Sequence, residues 1–253
     1  AYWFIDEAMS EISVETNEVT RPVRQQRYSL GGAGNVTNNI AAMGVMDIRA
    51  YGVVGTDPFG AEMVRIMNNT GIGTRNMLVQ KALWYTHTYA KPYIDDRELN
   101  RVDFGNYNQL SDETADLLIS NLVNEIPEVD IVLINQQVPS GIHTGYFKKR
   151  LLEVIQKYPG KIFMVDSRNF NDFYDGTIRK MNDTEASRLC GLNRKPDEAI
   201  PYSEVVSSAR NLFERFHKPL FITRGSKGSL TIDKSGISEI PGLMIISKVD
   251  TVG

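Results

Sequence analysis

From about residue 30 onward, short apolar runs alternate with amphipathic stretches of helical period, and few folds accommodate that rhythm. Residues 48–54, 131–134, 162–165 and 220–223 are mostly unbroken apolar runs of strand length, the pattern of strands covered on both faces. Helical patterns fill the intervals at 36–43, 61–68, 112–125, 145–158 and 203–216. Within 112–125, Ala115, Leu118, Ile119 and Leu122 recur at helical spacing and make one apolar stripe. Strand and helix taking turns predict an α/β fold with a mostly parallel sheet and helices on both faces. Two stretches break the rhythm. Residues 11–30 and 82–104 are rich in Val, Thr, Tyr and Arg with little helical period, and predict the strands of a small antiparallel sheet. Such a sheet on an α/β core makes a lid over the carboxyl ends of the strands, where open sheets bind ligands. With no internal repeat or evident linker, residues 1–253 read as one domain that includes the lid.

Composition narrows the class of function. The 253 residues suffice for a large core, and 42% hydrophobic with 23% charged residues excludes a disordered chain. A formal net charge of -3 argues against a dedicated nucleic-acid binder. No run approaches the ~20 apolar residues of a membrane span. The first residues carry Asp6, Glu7 and Glu11 and lack the basic start of a signal peptide. A single cysteine, Cys190, permits no internal disulfide and suits a reducing compartment, so a cytoplasmic location is expected. His87, His143 and His217 are scattered without partners at ligand spacing, which favours packing or surface roles over a structural metal.

Four segments stand out as carriers of chemistry. Gly31-Gly32-Ala33-Gly34-Asn35 precedes a helical run, where glycines admit a ligand close to the backbone and Asn35 offers an amide; a tight turn with a cap explains it equally well. It is not the dinucleotide fingerprint, because Thr37 stands where that motif needs its last glycine. Asp57, Pro58 and Gly60 read as a turn entering a helix. Asn182-Asp183-Thr184-Glu185 predicts a capped helix running to Cys190 and ended by Gly191, with Glu185 left for a further role. Upstream, Asp166-Ser167-Arg168 ends a buried strand at the edge where α/β sites form. Thr223-Arg224-Gly225-Ser226-Lys227-Gly228 reads as a hairpin turn or as a loop whose amides face phosphates. The chain ends on Asp250-Thr251-Val252-Gly253.

Taken in this order, these segments resemble the ribokinase-like (phosphofructokinase B type) carbohydrate kinases. Gly31 to Asn35 with Gly44 and the Gly52 to Gly60 stretch resembles that family's first signature. Asn182-x-x-Glu185 resembles its Asn-x-x-Glu motif, and Thr223-x-Gly225-x-x-Gly228 its nucleotide loop. Asp250-Thr251-Val252-Gly253 resembles the start of its second signature, Asp-Thr-x-Gly-Ala-Gly-Asp. Within the family the chain is similar to the heptose-phosphate kinases of lipopolysaccharide precursor synthesis. Ile12-Ser13-Val14-Glu15-Thr16, Thr86-x-Thr88-x-x-Lys91 and Arg101-Val102-Asp103-Phe104 resemble segments of that group, and Asp166-Ser167-Arg168 stands where they carry Asp-Pro-Lys. It departs from them at Asn135-Gln136-Gln137-Val138-Pro139-Ser140-Gly141, where they carry Asp-Tyr-x-Lys-Gly, so an acid and a lysine are absent.

The resemblance implies a ribokinase-like fold and ATP-dependent phosphoryl transfer to a hydroxyl of a sugar or sugar phosphate. It implies that Gly31, Gly32, Asn35, Lys91, Arg101 and Asp250 bind the sugar substrate. Arg168, Asn182, Glu185, Thr223, Gly225, Gly228, Thr251 and Gly253 then serve the nucleotide and its phosphates, with Mg²⁺ held by Glu185 through water. The family's catalytic Asp falls three residues past Gly253 and its first strand before Ala1, so the chain as it stands is expected to be cut at both ends and to turn over negligibly. A homodimer through the lid is expected, with no nucleic-acid or membrane partner. The competing class is a non-catalytic sugar- or nucleotide-binding protein on a kinase fold. A nicotinamide-dependent oxidoreductase is disfavoured because no Gly-x-Gly-x-x-Gly follows a strand.

Overall fold

Capping chemistry sets where the helices begin. The structure, a computed structural model, describes residues 1–194 and 198–242. In chain order the elements are β1 (Tyr2–Ile5), β2 (Val23–Arg27), α1 (Gly32–Ala42), β3 (Arg49–Val54), α2 (Pro58–Asn69), β4 (Gly73–Val79), β5 (Thr88–Ile94), β6 (Arg97–Glu98), β7 (Val102–Phe104) and α3 (Asp112–Glu125). They continue as β8 (Ile131–Gln136), α4 (Gly145–Lys157), β9 (Ile162–Ser167), β10 (Ile178–Asn182), α5 (Asp183–Leu189), α6 (Tyr202–Phe216), β11 (Leu220–Thr223), β12 (Ser229–Asp233) and β13 (Gly236–Ile240). The Asp57 carboxylate accepts from the Gly60 amide to open α2, with Pro58 in the first turn where its missing N–H costs nothing. Thr144 caps α4 through the Phe147 amide at 3.2 Å.

The chain divides into two compact units: residues 1–114 with 140–142, and the described residues of 115–139 and 143–242. The first unit holds a five-stranded sheet in the order β2-β1-β5-β6, with β7 also on β5, and a separate parallel pair β3-β4. The 23–27 and 88–104 strands of that sheet fall in the two stretches that break the sequence rhythm. One pairing departs from the antiparallel expectation: β1 runs parallel to β5, Tyr2 opposite Lys91. The long connection between them permits this, since a parallel pair needs a crossover rather than a tight turn. Tyr2-Trp3-Phe4-Ile5 was not expected as a strand. In the sheet, the Phe4 and Tyr93 rings stack at 5.8 Å and the Arg27 guanidinium lies 5.0 Å over Phe4. Leu30, Ala50, Met67 and Ile72 form a small core in this unit.

The second unit is built on a six-stranded sheet, order β13-β12-β11-β10-β9-β8. Strands β8 to β11 are parallel, and β12 and β13 turn back antiparallel. The expectation of strands buried on both faces needs correction here. Burial alternates along β9 to β12: Phe163, Val165, Met181, Leu220, Ile222, Leu230 and Ile232 are buried, whereas Ile131, Leu133, Ile162 and Phe221 of β8, β9 and β11 stay 37–51% exposed. Residues two apart share a face. Of the first set, Met181, Leu220, Ile222, Leu230 and Ile232 share a core with Ala186, Val205, Ala209 and Leu212 of α5 and α6, and among the described residues the second face is less covered. The central strand β10 was missed because Arg179 and Lys180 interrupt its apolar pattern.

The helix after the glycine run also starts earlier than expected. Gly31 is its extended N-cap residue, and Gly32 to Asn35 lie inside the first turn of α1 rather than in a loop before it. Gly32 takes φ +50, a conformation that favours glycine. A Cβ on Gly34 would stand 3.1 Å from the Leu30 Cβ and 3.4 Å from the Met67 methyl, so this glycine seats the helix on its core.

Candidate functional site

The parallel register of the second unit gathers motifs that are far apart in sequence. Asn182 lies opposite Thr223 where β10 and β11 end, and the Thr223 hydroxyl donates to the Met181 carbonyl at 3.4 Å. On the other side β9 ends at Ser167 beside Gln136 of β8, which brings Arg168 to the same carboxyl edge. Arg168, Asn182, Glu185, Thr223 and Gly225 thus leave adjacent parallel strands at the end where α/β sheets bind ligands.

Asn182 and Glu185 close a capping box. The Asn182 side-chain oxygen accepts from the Glu185 amide at 2.8 Å, and a Glu185 carboxylate oxygen accepts from the Asn182 amide at 2.9 Å. The expectation that capping leaves Glu185 free is therefore corrected: one of its oxygens serves the cap. Its other capacity faces a cavity of about 200 Å³ lined by Glu185, Arg168, Asn169, Asn171, Asp172 and Arg188, among others. Burial, and then the nearby Asp166 charge, push the Glu185 carboxyl above the ordinary range, against the pull of the Asn182 amide and of Lys180 and Arg188. Gly191, at φ +80, follows the end of α5 as expected.

The cavity wall between β9 and β10 rests on buried polar contacts. Ser167 donates to Gln136 at 2.7 Å and accepts from the Phe170 amide at 2.8 Å. Asn171 donates to the Ser167 carbonyl at 2.5 Å, while its own side-chain oxygen is buried without a hydrogen-bond partner. Arg188 donates to the Arg168 carbonyl at 2.6 Å, and Arg168 donates to Gln137 at 3.0 Å. The oxygens of Glu185, Asp172 and Asn171 are the hard donors that Mg²⁺ prefers. Among the described residues no group of three or more acidic, histidine or cysteine side chains is placed to hold a metal directly.

The Thr223 to Gly228 segment is a hairpin connection with a short 3-10 turn at Gly225–Lys227. The Arg224 guanidinium pairs with Glu239 at 2.8 Å and lies 4.9 Å over the Tyr202 ring. Gly225 and Gly228 both take positive φ, +56 and +85. A Cβ on Gly228 would overlap the backbone of Ile240 to Gly242, whereas Gly225 stands in open space.

In the first unit, Gly31 likewise has nothing within 4 Å of where a Cβ would be, and Asn35 is partly exposed on the first turn of α1. Lys91 is nearly buried in the five-stranded sheet, 3.6 Å from the Glu98 carboxylate and 5.8 Å over the Tyr2 ring. Arg101 pairs with Asp103 at 2.5 Å and lies 3.9 Å over Tyr89. Both cations have partners within the sheet. Asp250, Thr251 and Gly253 lie outside the described residues.

His143 and His87 take packing positions, and His217 is exposed. His143 is buried, 2.6 Å from the Tyr174 hydroxyl, and burial holds its imidazole down to about 4, so it is neutral at physiological pH. His87 contacts the Ser140 carbonyl at 3.1 Å, and His217 ends α6 in the left-handed conformation. Sequence reasoning missed Asn171, Asp172, Arg179 and Arg188. Only Arg188 carried a signal, since it lies three residues after Glu185 and so on the same helix face.

Comparison with known proteins identifies the family and the fold. The bifunctional protein HldE of Desulfatibacillum aliphaticivorans is 25% identical over 194 residues, 76% of this chain and 39% of its own length. That of Caulobacter vibrioides is 28% identical over 227 residues, 89% of this chain and 45% of its own. The chain thus spans less than half the length of these curated relatives. Phosphofructokinase-2 from Escherichia coli, solved in complex with substrates and products, superposes with a TM-score of 0.72 at 16% identity, covering 100% of this chain and 79% of that one. The same enzyme in complex with fructose-6-phosphate gives 0.66 at 15% identity, over 98% of this chain and 78% of that one. These likenesses show the ribokinase-like fold. The model of the pfkB family of carbohydrate kinases matches residues 3–253, and the chain belongs to that family.

Proposed function

We propose that the chain is the kinase part of an ATP-dependent sugar kinase, with both units forming one catalytic domain, and that it phosphorylates a hydroxyl of a sugar or sugar phosphate. The observation that carries this reading is the β10-β11 register, which sets Asn182 and the Glu185 helix beside the Thr223 loop. In this reading Thr223, Gly225 and Gly228 face the nucleotide phosphates, and Arg168 supplies positive charge at the same edge. Glu185 orients the water shell of Mg²⁺, which neutralises phosphate charge when bound. Gly31, Gly32 and Asn35 hold sugar hydroxyls, and Lys91 and Arg101 belong to the sugar side of the lid. Asp250, Thr251 and Gly253 complete the substrate and anion sites. The lid-segment likeness makes a heptose phosphate the first substrate to test, and the fructose-6-phosphate complex of the E. coli enzyme makes a hexose phosphate the second.

The same reading places the protein in the cytoplasm as a homodimer through the five-stranded sheet. Its edge strand β2 is exposed along its whole length, with one side unpaired in the sheet order. No helix among the described residues is long and apolar enough to cross a membrane.

The test is ADP release by the full-length protein with ATP, Mg²⁺ and a panel of sugars and sugar phosphates. Glu185→Gln should keep the capping box, since Gln also closes it, yet lower turnover by about 10²-fold. Unchanged turnover would remove Glu185 from the site. Absence of any phosphorylated product across the panel, with ATP binding intact, would turn the reading toward a binding protein.

A further inference from the structure

Arg179 is the largest fully buried side chain among the described residues, in the middle of the central strand β10. Its partners are not carboxylates. It donates to the carbonyls of Asn171 at 2.6 Å, Thr177 at 2.9 Å and Tyr174 at 2.9 Å. The guanidinium carbon sits 3.5 Å from the centre of the Phe216 ring on α6. All three acceptors lie in the loop between β9 and β10, the loop that carries Arg168, Asn169, Asn171 and Asp172 to the cavity beside Glu185. A planar fork with fixed donors suits this task, because it holds several carbonyls at set directions; an ammonium is a point charge and cannot. Burial lowers the guanidinium to about 10, so it remains charged at neutral pH.

The rest of the loop is tied at its edges. Thr177 donates to the Tyr174 carbonyl at 2.8 Å, the Tyr174 hydroxyl meets His143, and Lys148 of α4 lies 3.6 Å over Phe170. From the sheet, Gln136 and Ser167 tie the start of the loop at residues 168–171, and Arg179 ties its remainder at Asn171, Tyr174 and Thr177. A buried cation in a core strand is costly where an apolar residue fits, and here it is spent on loop backbone.

We infer that Arg179 is a positioning residue that fixes the loop of residues 168–177 and, through Arg168 and Asn171, sets the affinity of the cavity for the phosphate end of the nucleotide. The inference rests on the nucleotide reading of that cavity, and the experiment separates the two. Arg179→Lys, Arg168→Ala and the double variant are compared in the full-length protein. Two quantities are read: the dissociation constant for ATP by titration, and hydrogen exchange of the 168–177 amides.

The expected result is faster exchange confined to 168–177 in Arg179→Lys, with ATP binding weakened about tenfold. Arg168→Ala should weaken ATP by a similar factor, and the double variant by little more than either single one, because one acts through the other. Unchanged ATP affinity in Arg179→Lys beside a weakened Arg168→Ala overturns the inference and leaves the nucleotide reading standing. Unchanged affinity in Arg168→Ala overturns the nucleotide reading and, with it, the ligand role of Arg179. Full multiplication of the two effects also overturns the inference, since it shows independent action. Should Arg179→Lys fail to fold, Phe216→Leu removes the ring beneath the guanidinium while sparing its hydrogen bonds. It should reproduce the local exchange and a smaller loss of ATP affinity, and protection equal to wild type would again overturn the inference.

Discussion

The two glycine segments, Gly31 to Asn35 in the first unit and Thr223 to Gly228 in the second, solve the same problem by different means. Each contains a glycine demanded by packing and a glycine with open space where a side chain would stand. In the first, Gly34 lets α1 sit on Leu30 and Met67, while Gly31 stands with open space where a side chain would be. In the second, Gly228 fits against the backbone of Ile240 to Gly242, while Gly225 has nothing within 4 Å. The first segment is the opening turn of a helix of 11 residues, and the second is a short connection inside a hairpin. A glycine forced by packing says nothing about ligands. One that stands free at the carboxyl edge of a sheet, or at an N-cap, is where a ligand can approach the backbone.

That division can be broken by alanine. Gly228→Ala should have the largest effect, because its φ of +85 and the Ile240 carbonyl both exclude a Cβ. A loss of about 3 kcal/mol or more is expected from strain and overlap together, read as a lowered midpoint in thermal or urea unfolding. A midpoint equal to wild type would mean that the hairpin does not pack as described. Gly225→Ala should cost only about 1–2 kcal/mol for its left-handed backbone, yet raise KM for ATP about tenfold. If it moves stability alone, Gly225 is a turn residue and nothing more. Gly31→Ala should cost about 0.5–1 kcal/mol as a weakened N-cap and act on KM for the sugar rather than for ATP. An effect on ATP instead would dissolve the distinction between the two segments.

How far the sequence anticipates this arrangement depends on the range of the interactions involved. Strand β11 and helix α3 fall at the expected bounds because local period and end signals decide them. Asp57, Pro58 and Gly60 were legible as a helix entry because the cap is a contact over three residues. The meeting of Asn182 with Thr223 was not legible, because β10, the strand that ends at Asn182, was not among the expected strands. What the residues hid were long-range decisions. Arg179 looks like a break in an apolar strand, and only the loop carbonyls explain its burial. Glu185 looked free because the Asn182 backbone amide it accepts from is invisible in a pattern of side chains. The uneven covering of β8, β9 and β11 was likewise hidden, since an apolar residue reads the same whether or not something lies over it.

The smallest expected effect sharpens the comparison by pH. The Gly31 to Asn35 segment contains no titratable side chain, whereas Glu185 stands beside the second segment with its carboxyl raised by burial. A raised value means that the folded state holds the Glu185 proton more tightly than the unfolded chain does. Between the ordinary glutamate value and the raised one, the folded protein therefore binds more protons, and stability falls as pH rises through that window. Above the window the full cost of the buried charge is present; below the ordinary value it is gone. Glu185→Gln keeps the capping box and removes the charge. Its melting temperature should equal or slightly exceed that of wild type at about pH 7, and the difference should vanish near pH 4. The same pair of measurements on Gly31→Ala should show a difference that does not change with pH. A Glu185→Gln difference that is also flat, or that grows toward acid, would mean that the carboxylate is better solvated than its place in the cavity wall implies, and the Mg²⁺ role assigned to it would lose its electrostatic basis.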